Sequence, residues 1–192
     1  MQTRDHKLLG KYLLKQAEQE LPFVYKIAFI AGNVEPDHNP FTYLHGMFKG
    51  KKFHGHNYEN ILPVMKKLYS SLQKKEYFGI RKYYHLGKLV HYTADSFTYP
   101  HNAEYKKGLI EHCRYENTLH NQFLWAMREE LKRNRMICPI KTFKDLETMH
   151  KKYIQNHSDY VSDCDYILKV SSMLAIQGLK ETAGYVPIEK MA

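Results

Sequence analysis

The 192-residue sequence lacks the features that would place it among membrane or exported proteins. It has no apolar run approaching the ~20 residues that a transmembrane helix requires. Its first residues, Met-Gln-Thr-Arg-Asp-His, lead directly into an amphipathic pattern and contain no apolar stretch of the signal-peptide type. We therefore expect a cytoplasmic protein, or a secreted one if the chain is a processed fragment.

Cysteine is also scarce. The three cysteines are odd in number, widely spaced and form no C-x-x-C motif, so neither a disulfide framework nor a cysteine zinc finger is supported. There is no internal repeat, no low-complexity segment and no alternating run long enough to predict a sheet. For a chain of this length the simplest prediction is a single domain spanning residues 1–192.

Positive charge is abundant by contrast. Lysine and arginine number 29 against 20 acidic residues, which gives a net charge of +9, and there are 12 histidines. A surplus of this size fits a solvated basic surface, and it also fits attraction to an anionic substrate, a phosphate-rich surface or nucleic acid. Charge alone does not choose among these.

Apolar residues recur at helical spacing and predict a compact all-α bundle of about six helices. The predicted helices cover residues 5–20, 58–72, 76–98, 109–132, 142–156 and 160–182. Thr3 or Asp5 is the expected cap of the first, and Thr142 with Asp145 resembles a capping box. Residues 31–57 are rich in glycine and proline, so we predict a loop there, with room for a helical turn.

The most informative segment runs from His91 to Glu116. His91 and Asp95 are four residues apart, His112 and Glu116 are again four apart, and His101 lies between the pairs. Residues four apart share one face of a helix, and imidazole with carboxylate is a ligand set for zinc and related metals. Burying these groups without a cation would cost several kcal/mol. Two adjacent pairs suggest more than one metal, and clustered metals suggest phosphate ester chemistry.

The first half of the sequence adds candidates that remain open. Asp37 follows Pro36 and is either a ligand or only a residue of an Asx turn or a helix cap. His54 and His56 alternate, so in an extended segment both would point to one side. His6 taken alone would be a surface histidine. The remaining histidines have no partner at ligand spacing and are expected to be structural or exposed: His45, His85, His120, His150 and His157.

Taken in order, these residues resemble the metal-binding series of the zinc-dependent phospholipase C family, all-helical phosphodiesterases with three zinc ions. Fungal single-strand nucleases share that metal site. The series D…H…H-x3-D-x5-H…H-x3-E is present here as Asp37, His56, His91, Asp95, His101, His112 and Glu116. The segment before His101 is also similar to the family and reads Y-H-L-G-K-L-V-H-Y-T-A-D. The resemblance covers roughly residues 3–120.

The resemblance implies a ligand set for each metal ion. The first ion would be held by Asp37, His56, His91 and Asp95, with His54 as the alternative to His56. The second would be held by His101, His112 and Glu116. The third would use His6, a bridging Asp95 and the N-terminal residue. Met1 differs from the family's tryptophan, and only four residues separate it from His6, so two to three zinc ions are expected.

The resemblance further implies a metal-dependent phosphodiester hydrolase that activates water and clamps the phosphate, with Asp37 orienting or deprotonating the water. Phospholipid is one expected substrate, single-stranded nucleic acid is the alternative that the positive charge favours, and a non-catalytic zinc-binding helical protein is the remaining possibility. Residues near the histidines are expected to hold their rings: Tyr92, Tyr99, Tyr115 and Asn117. Loop aromatic residues are expected to select the substrate: Phe41, Tyr43, Phe48 and Phe53.

Overall fold

The computed structural model describes residues 1–17, 21–38, 57–74, 76, 78–133, 137–157 and 159–180. Within these residues there are seven α-helices and no strand, so the predicted all-α fold is confirmed. The helices are α1 Thr3–Gln16, α2 Phe23–His38, α3 Tyr58–Leu72, α4 Gly79–Ser96, α5 Leu109–Lys132, α6 Phe143–Asn156 and α7 Tyr160–Lys180. A 3-10 turn, Tyr99–His101, joins α4 to α5. None of the helices in these ranges is both long and apolar enough to span a bilayer.

Helix α4 lies at the centre of the bundle and packs against α1, α2, α3 and α7. Every residue from Leu89 to Ser96 is buried, so the last two turns of α4 have no solvent-facing side. Their polar side chains must therefore find partners inside the protein. Thr93 and Ser96 donate hydrogen bonds to carbonyl oxygens one turn back. His91 and Asp95 are the buried polar groups that this local pattern does not satisfy.

Helices α2 and α4 cross with their backbones in direct contact. A Cβ atom at Gly32 would lie 1.9 Å from the carbonyl oxygen of Tyr84, and one at Gly87 would lie 2.1 Å from that of Phe29. The prediction of a loop from residue 31 was wrong as far as residue 38, because Gly32 serves close helix packing and Pro36 is accommodated in the last turns of α2. This contact sets the end of α2 beside the buried turns of α4.

Other predictions met mixed outcomes. The bounds of α3 and α5 are as predicted, and α6 begins with the predicted capping box between Thr142 and Asp145. Helix α1 begins earlier than predicted, after Gln2, which makes no side-chain capping bond. Asp5 is not a cap either, because it is fully buried and contacts His120.

Candidate metal centre

Two groups of three potential ligands lie close together inside the bundle. His6, His91 and Asp95 form the first, which we call the inner triad, and all three are buried. His101, His112 and Glu116 form the second, the outer triad, and these are partly exposed. In each triad the ligand atoms lie within 4.8 Å of one another. The inner triad unites α1 with α4, and the outer triad unites the 3-10 turn with α5.

Asp95 stands between the two triads. Its Oδ1 lies 3.1 Å from Nε2 of His6 and 3.8 Å from Nε2 of His101, while its Oδ2 lies 3.2 Å from Nε2 of His91. One carboxylate therefore faces imidazoles of both groups: Oδ1 faces His6 and His101, and Oδ2 faces His91. This is the arrangement that a carboxylate bridging two metal ions requires.

The ring of His91 tests whether the inner triad fits a metal ion. Its Nδ1 lies 3.0 Å from the backbone carbonyl oxygen of Asn33, and since a carbonyl oxygen only accepts, Nδ1 carries the hydrogen. In the neutral ring Nε2 then presents a lone pair, and it faces Oδ2 of Asp95 at 3.2 Å and Oδ1 of Asp37 at 3.6 Å. A lone pair aimed at two carboxylates is repelled unless positive charge lies between them. A second ring proton or a metal ion supplies that charge, and a metal ion would satisfy all three groups at once.

The outer triad converges on one carboxylate oxygen. Oε1 of Glu116 lies 3.2 Å from Nε2 of His101 and 3.1 Å from Nε2 of His112. The pair on α5 is four residues apart, so the helix itself aligns His112 with Glu116. Tyr99–His101 forms the short turn that brings His101 to them.

The amino group of Met1 lies at the junction of the triads. It is 2.8 Å from Oδ1 of Asp95, 3.0 Å from Oε1 of Glu116 and 3.1 Å from Nε2 of His101. A buried ammonium group held by two carboxylates shows that this point of the protein favours a positive charge. The predicted third set paired the N-terminal residue with His6 and Asp95; in the structure its amino group lies beside Asp95 and two members of the outer triad.

Electrostatics set the protonation states of the centre. Burial lowers the pKa of the Met1 ammonium, but Asp95 and Glu116 outweigh it and raise that pKa from 8.0 to about 11. Burial lowers the pKa of His6 from 6.5 to about 4 and also lowers the pKa of His101. Burial opposes ionisation of both carboxyl groups, yet the ammonium and the imidazoles hold their pKa values below the usual range. Neutral imidazoles with ionised carboxylates are the states that bind metal ions.

Of the remaining predicted ligands, the structure describes Asp37 and His6 but not His54 or His56. Asp37 reaches the inner triad from the last turn of α2, where its negative charge opposes the helix dipole and therefore costs stability rather than adding it. His6, expected on the surface when taken alone, is fully buried. His54 and His56 lie outside the described residues, as do the four loop aromatic residues expected to select the substrate.

Sequence reasoning missed the groups that orient the ligands. The Nδ1 atom of His91 donates to the Asn33 carbonyl, while the Tyr92 ring packs edge-on against the His91 ring. The Asn33 amide also donates to the backbone carbonyl of His6 at 2.8 Å. Asn117 binds Gln2 instead of an imidazole. No spacing rule signals Asn33, because its contacts join three different helices.

A second set of supports surrounds Asp163 of α7. This fully buried carboxylate accepts hydrogen bonds from the hydroxyls of Tyr153 and Tyr115 and from the backbone N–H of Tyr99. Tyr115 and Tyr99 were expected to hold the imidazoles of the site; they bind Asp163, and both also contact the imidazole of His157. Tyr115 precedes Glu116 and Tyr99 begins the turn that ends at His101, so Asp163 braces both segments of the outer triad from behind.

The fold and the centre define an all-α protein with a paired histidine–carboxylate site suited to divalent metal ions. The family model described as zinc-dependent phospholipase C matches residues 5–167 of the chain. The chain belongs to the zinc-dependent phospholipase C family. Neither curated proteins nor solved structures gave a significant match.

Proposed function

We propose that this protein is a zinc-dependent phosphodiester hydrolase that acts on phospholipids. The observation that carries the proposal is Asp95, which faces His91 with one oxygen and His6 and His101 with the other. Such sharing is unnecessary for a single structural ion, which needs one closed set of ligands. Membership of the zinc-dependent phospholipase C family supports zinc as the metal and phospholipid as the substrate class.

Asp37, His91 and Asp95 would hold one ion and the outer triad another, with Asp95 shared. A third ion would take His6, Asp95 and the amino group of Met1, which lies 2.8 Å from Oδ1 of Asp95. Zinc ions bound at such a centre lower the pKa of water toward neutrality and neutralise charge on phosphoryl oxygens.

The side chains divide the remaining work. In the hydrolysis the oxygen of a water molecule bonds to phosphorus, the phosphorus–oxygen bond to the leaving group breaks, and the leaving oxygen takes a proton from water to become the alcohol. Asp37 is suited to take the proton that the water loses, because it lies at the edge of the inner triad and is 12% exposed. Asn33 fixes the ring of His91, and the brace at Asp163 fixes the outer triad, so the ligands need little rearrangement to act.

Metal analysis of purified variants tests the proposal. The parent protein should hold about two to three zinc ions per chain. Asp95→Asn should lower that number and abolish hydrolysis of a phosphatidylcholine substrate, and His112→Ala should lose the ion of the outer triad. Asp165→Asn, an exposed carboxylate on α7, is the matched control and should change neither.

Three outcomes would count against the proposal. An unchanged zinc content in Asp95→Asn would contradict the shared carboxylate. Turnover of single-stranded DNA without turnover of phospholipid would replace the substrate class. Full zinc content with no turnover of any phosphodiester would favour a non-catalytic zinc protein.

A further inference from the structure

A basic and apolar tip, residues 106–110, lies between His101 and His112 of the outer triad in the sequence. Residues 106–111 form an unbroken exposed run, K-K-G-L-I-E, in which Leu109 is 77% and Ile110 66% exposed. The helical pattern of the sequence would place Ile110 on an inward face, yet in the structure neither side chain enters the core. Two adjacent bulky apolar residues held in water are unfavourable for an isolated soluble domain and typical of a docking surface.

The tip lies on the accessible side of the metal centre. Leu109 begins α5 and His112 lies one turn later on the same face, so the two are about 5 Å apart along the helix. The side chains of His101, His112 and Glu116 are 11%, 18% and 15% exposed, whereas those of the inner triad are 1% exposed or less. Solvent thus reaches the centre next to the tip.

The charges around the tip favour an anionic partner. Lys106 and Lys107 are exposed immediately before the apolar pair, and Arg114 follows Ile110 by one turn on the same face. The carboxylate of Glu111 lies back toward Gly108 at the start of α5, where the helix dipole stabilises it. Exposed Glu104 is the nearby opposing charge, and the whole chain carries +9.

We propose that residues 106–110, the tip, are the surface by which the protein docks onto anionic phospholipid bilayers. Leu109 and Ile110 enter the headgroup region while Lys106 and Lys107 pair with lipid phosphates. Docking in this orientation brings the outer triad to the bilayer surface. The inference deepens the proposed function and rests on it for the purpose of docking, whereas the binding itself can be measured without catalysis.

A second exposed apolar patch provides a matched control. Phe23 is 77% and Ile27 51% exposed, and Lys7 and Lys26 flank them, so the patch resembles the tip in exposure and charge. Phe23 lies at the start of α2, however, about 21 Å along the helix from Asp37 at its end. A protein docked through Phe23 would hold its metal centre away from the lipid.

Vesicle sedimentation with the zinc-loaded protein tests the inference. The parent should bind vesicles containing phosphatidylglycerol, and Leu109→Ser/Ile110→Ser should bind at least tenfold more weakly. Phe23→Ser/Ile27→Ser should bind as the parent does. Leu109→Phe/Ile110→Phe should keep the binding, because bulky apolar character is retained. Lys106→Gln/Lys107→Gln should lose the preference for phosphatidylglycerol over pure phosphatidylcholine.

Hydrolysis separates docking from catalysis. With a soluble short-chain phosphodiester, Leu109→Ser/Ile110→Ser should hydrolyse at the rate of the parent. On vesicles its hydrolysis rate should fall in proportion to its weaker binding. The parent could bind vesicles through Leu109 and Ile110 and yet hydrolyse neither substrate. That result would contradict the proposed function and would still support docking.

Two results would overturn docking. The first is that the parent and Leu109→Ser/Ile110→Ser bind vesicles equally, or that neither binds. The second is that the parent is a stable dimer in gel filtration whereas Leu109→Ser/Ile110→Ser is a monomer, because the tip would then bind another copy of the chain.

Discussion

Replacing the buried carboxylate of α7, Asp163→Asn, should destabilise the protein and loosen the outer triad together. Asp163 is fully buried and accepts from the hydroxyl of Tyr153 at 2.6 Å, the hydroxyl of Tyr115 at 2.8 Å and the N–H of Tyr99 at 3.1 Å. Nε2 of His157 lies 3.2 Å from the same carboxylate. Burial, together with the negative charge of Asp163, raises the pKa of the Tyr153 and Tyr115 hydroxyls, so both remain donors at any ordinary pH.

The size of the effect follows from the number of donors. An asparagine keeps one acceptor oxygen and presents an NH₂ group to the donors that faced the other oxygen, so about half of the bonds are lost. Hydrogen bonds to a charged group contribute ~1.5–3 kcal/mol each, so losing two should lower the free energy of unfolding by ~3–6 kcal/mol. Tyr115→Phe removes the bond from its hydroxyl to Asp163 and should lower the free energy of unfolding by ~1.5–3 kcal/mol.

The measurement is urea unfolding with and without zinc. Without zinc, Asp163→Asn should show the full loss, and Asp165→Asn, exposed on the same helix, should show none. Zinc should stabilise the parent more than Asp163→Asn, because a ligand stabilises the folded state according to its affinity, and the brace of the outer triad is missing in the variant. Stabilities within ~1 kcal/mol of each other, or an equal gain from zinc, would refute this reasoning.

Three further predictions concern the scaffold. Gly87→Ala should lower the free energy of unfolding by ~3 kcal/mol or more, or prevent folding, because the new Cβ would lie 2.1 Å from the Phe29 carbonyl oxygen. Thermal unfolding and the yield of soluble protein measure this loss. A melting temperature equal to that of the parent would contradict the prediction. Burial lowers the pKa of His150 from 6.5 to about 4, so stability present above pH 6.5 is lost toward pH 4, by up to ~3 kcal/mol. His150→Gln should remove that part of the pH dependence in urea titrations, and an unchanged pH profile would contradict the assignment. Thr142→Ala should cost ~1 kcal/mol and leave the zinc content unchanged; loss of zinc would show that α6 supports the centre.

Local signals in the sequence account for the helices that were predicted correctly. Helix α3 follows Asn57, whose side chain accepts from the second residue of the helix, and α6 follows Thr142 in a capping box. Helix α2 was misread because glycine and proline have two uses. At Gly32 the missing side chain admits the backbone of α4, a contact between residues more than 50 positions apart that no local pattern can reveal.

The metal centre likewise has parts that the sequence predicts and parts that it does not. The His91/Asp95 and His112/Glu116 pairs could be predicted because helix geometry alone brings residues four apart together. That Asp95 lies between both triads could be written down only from the family resemblance, since the contact with His6 spans 89 positions. The supports at Asn33 and Asp163 carried no sequence signal, because each works through partners on other elements and a buried asparagine or aspartate has no fixed spacing to its donors.

The unequal burial of the two triads limits how a substrate could approach. A phosphodiester that reaches the centre from solvent meets the outer triad first, because the inner triad is sealed by α1 and α4. Asp37 is the one carboxylate of the inner set that keeps some exposure, at 12%, so solvent also reaches the centre beside Asp37. Under the proposed function, the lipid alcohol would remain in the bilayer after hydrolysis, and the charged phosphate part would be released to water.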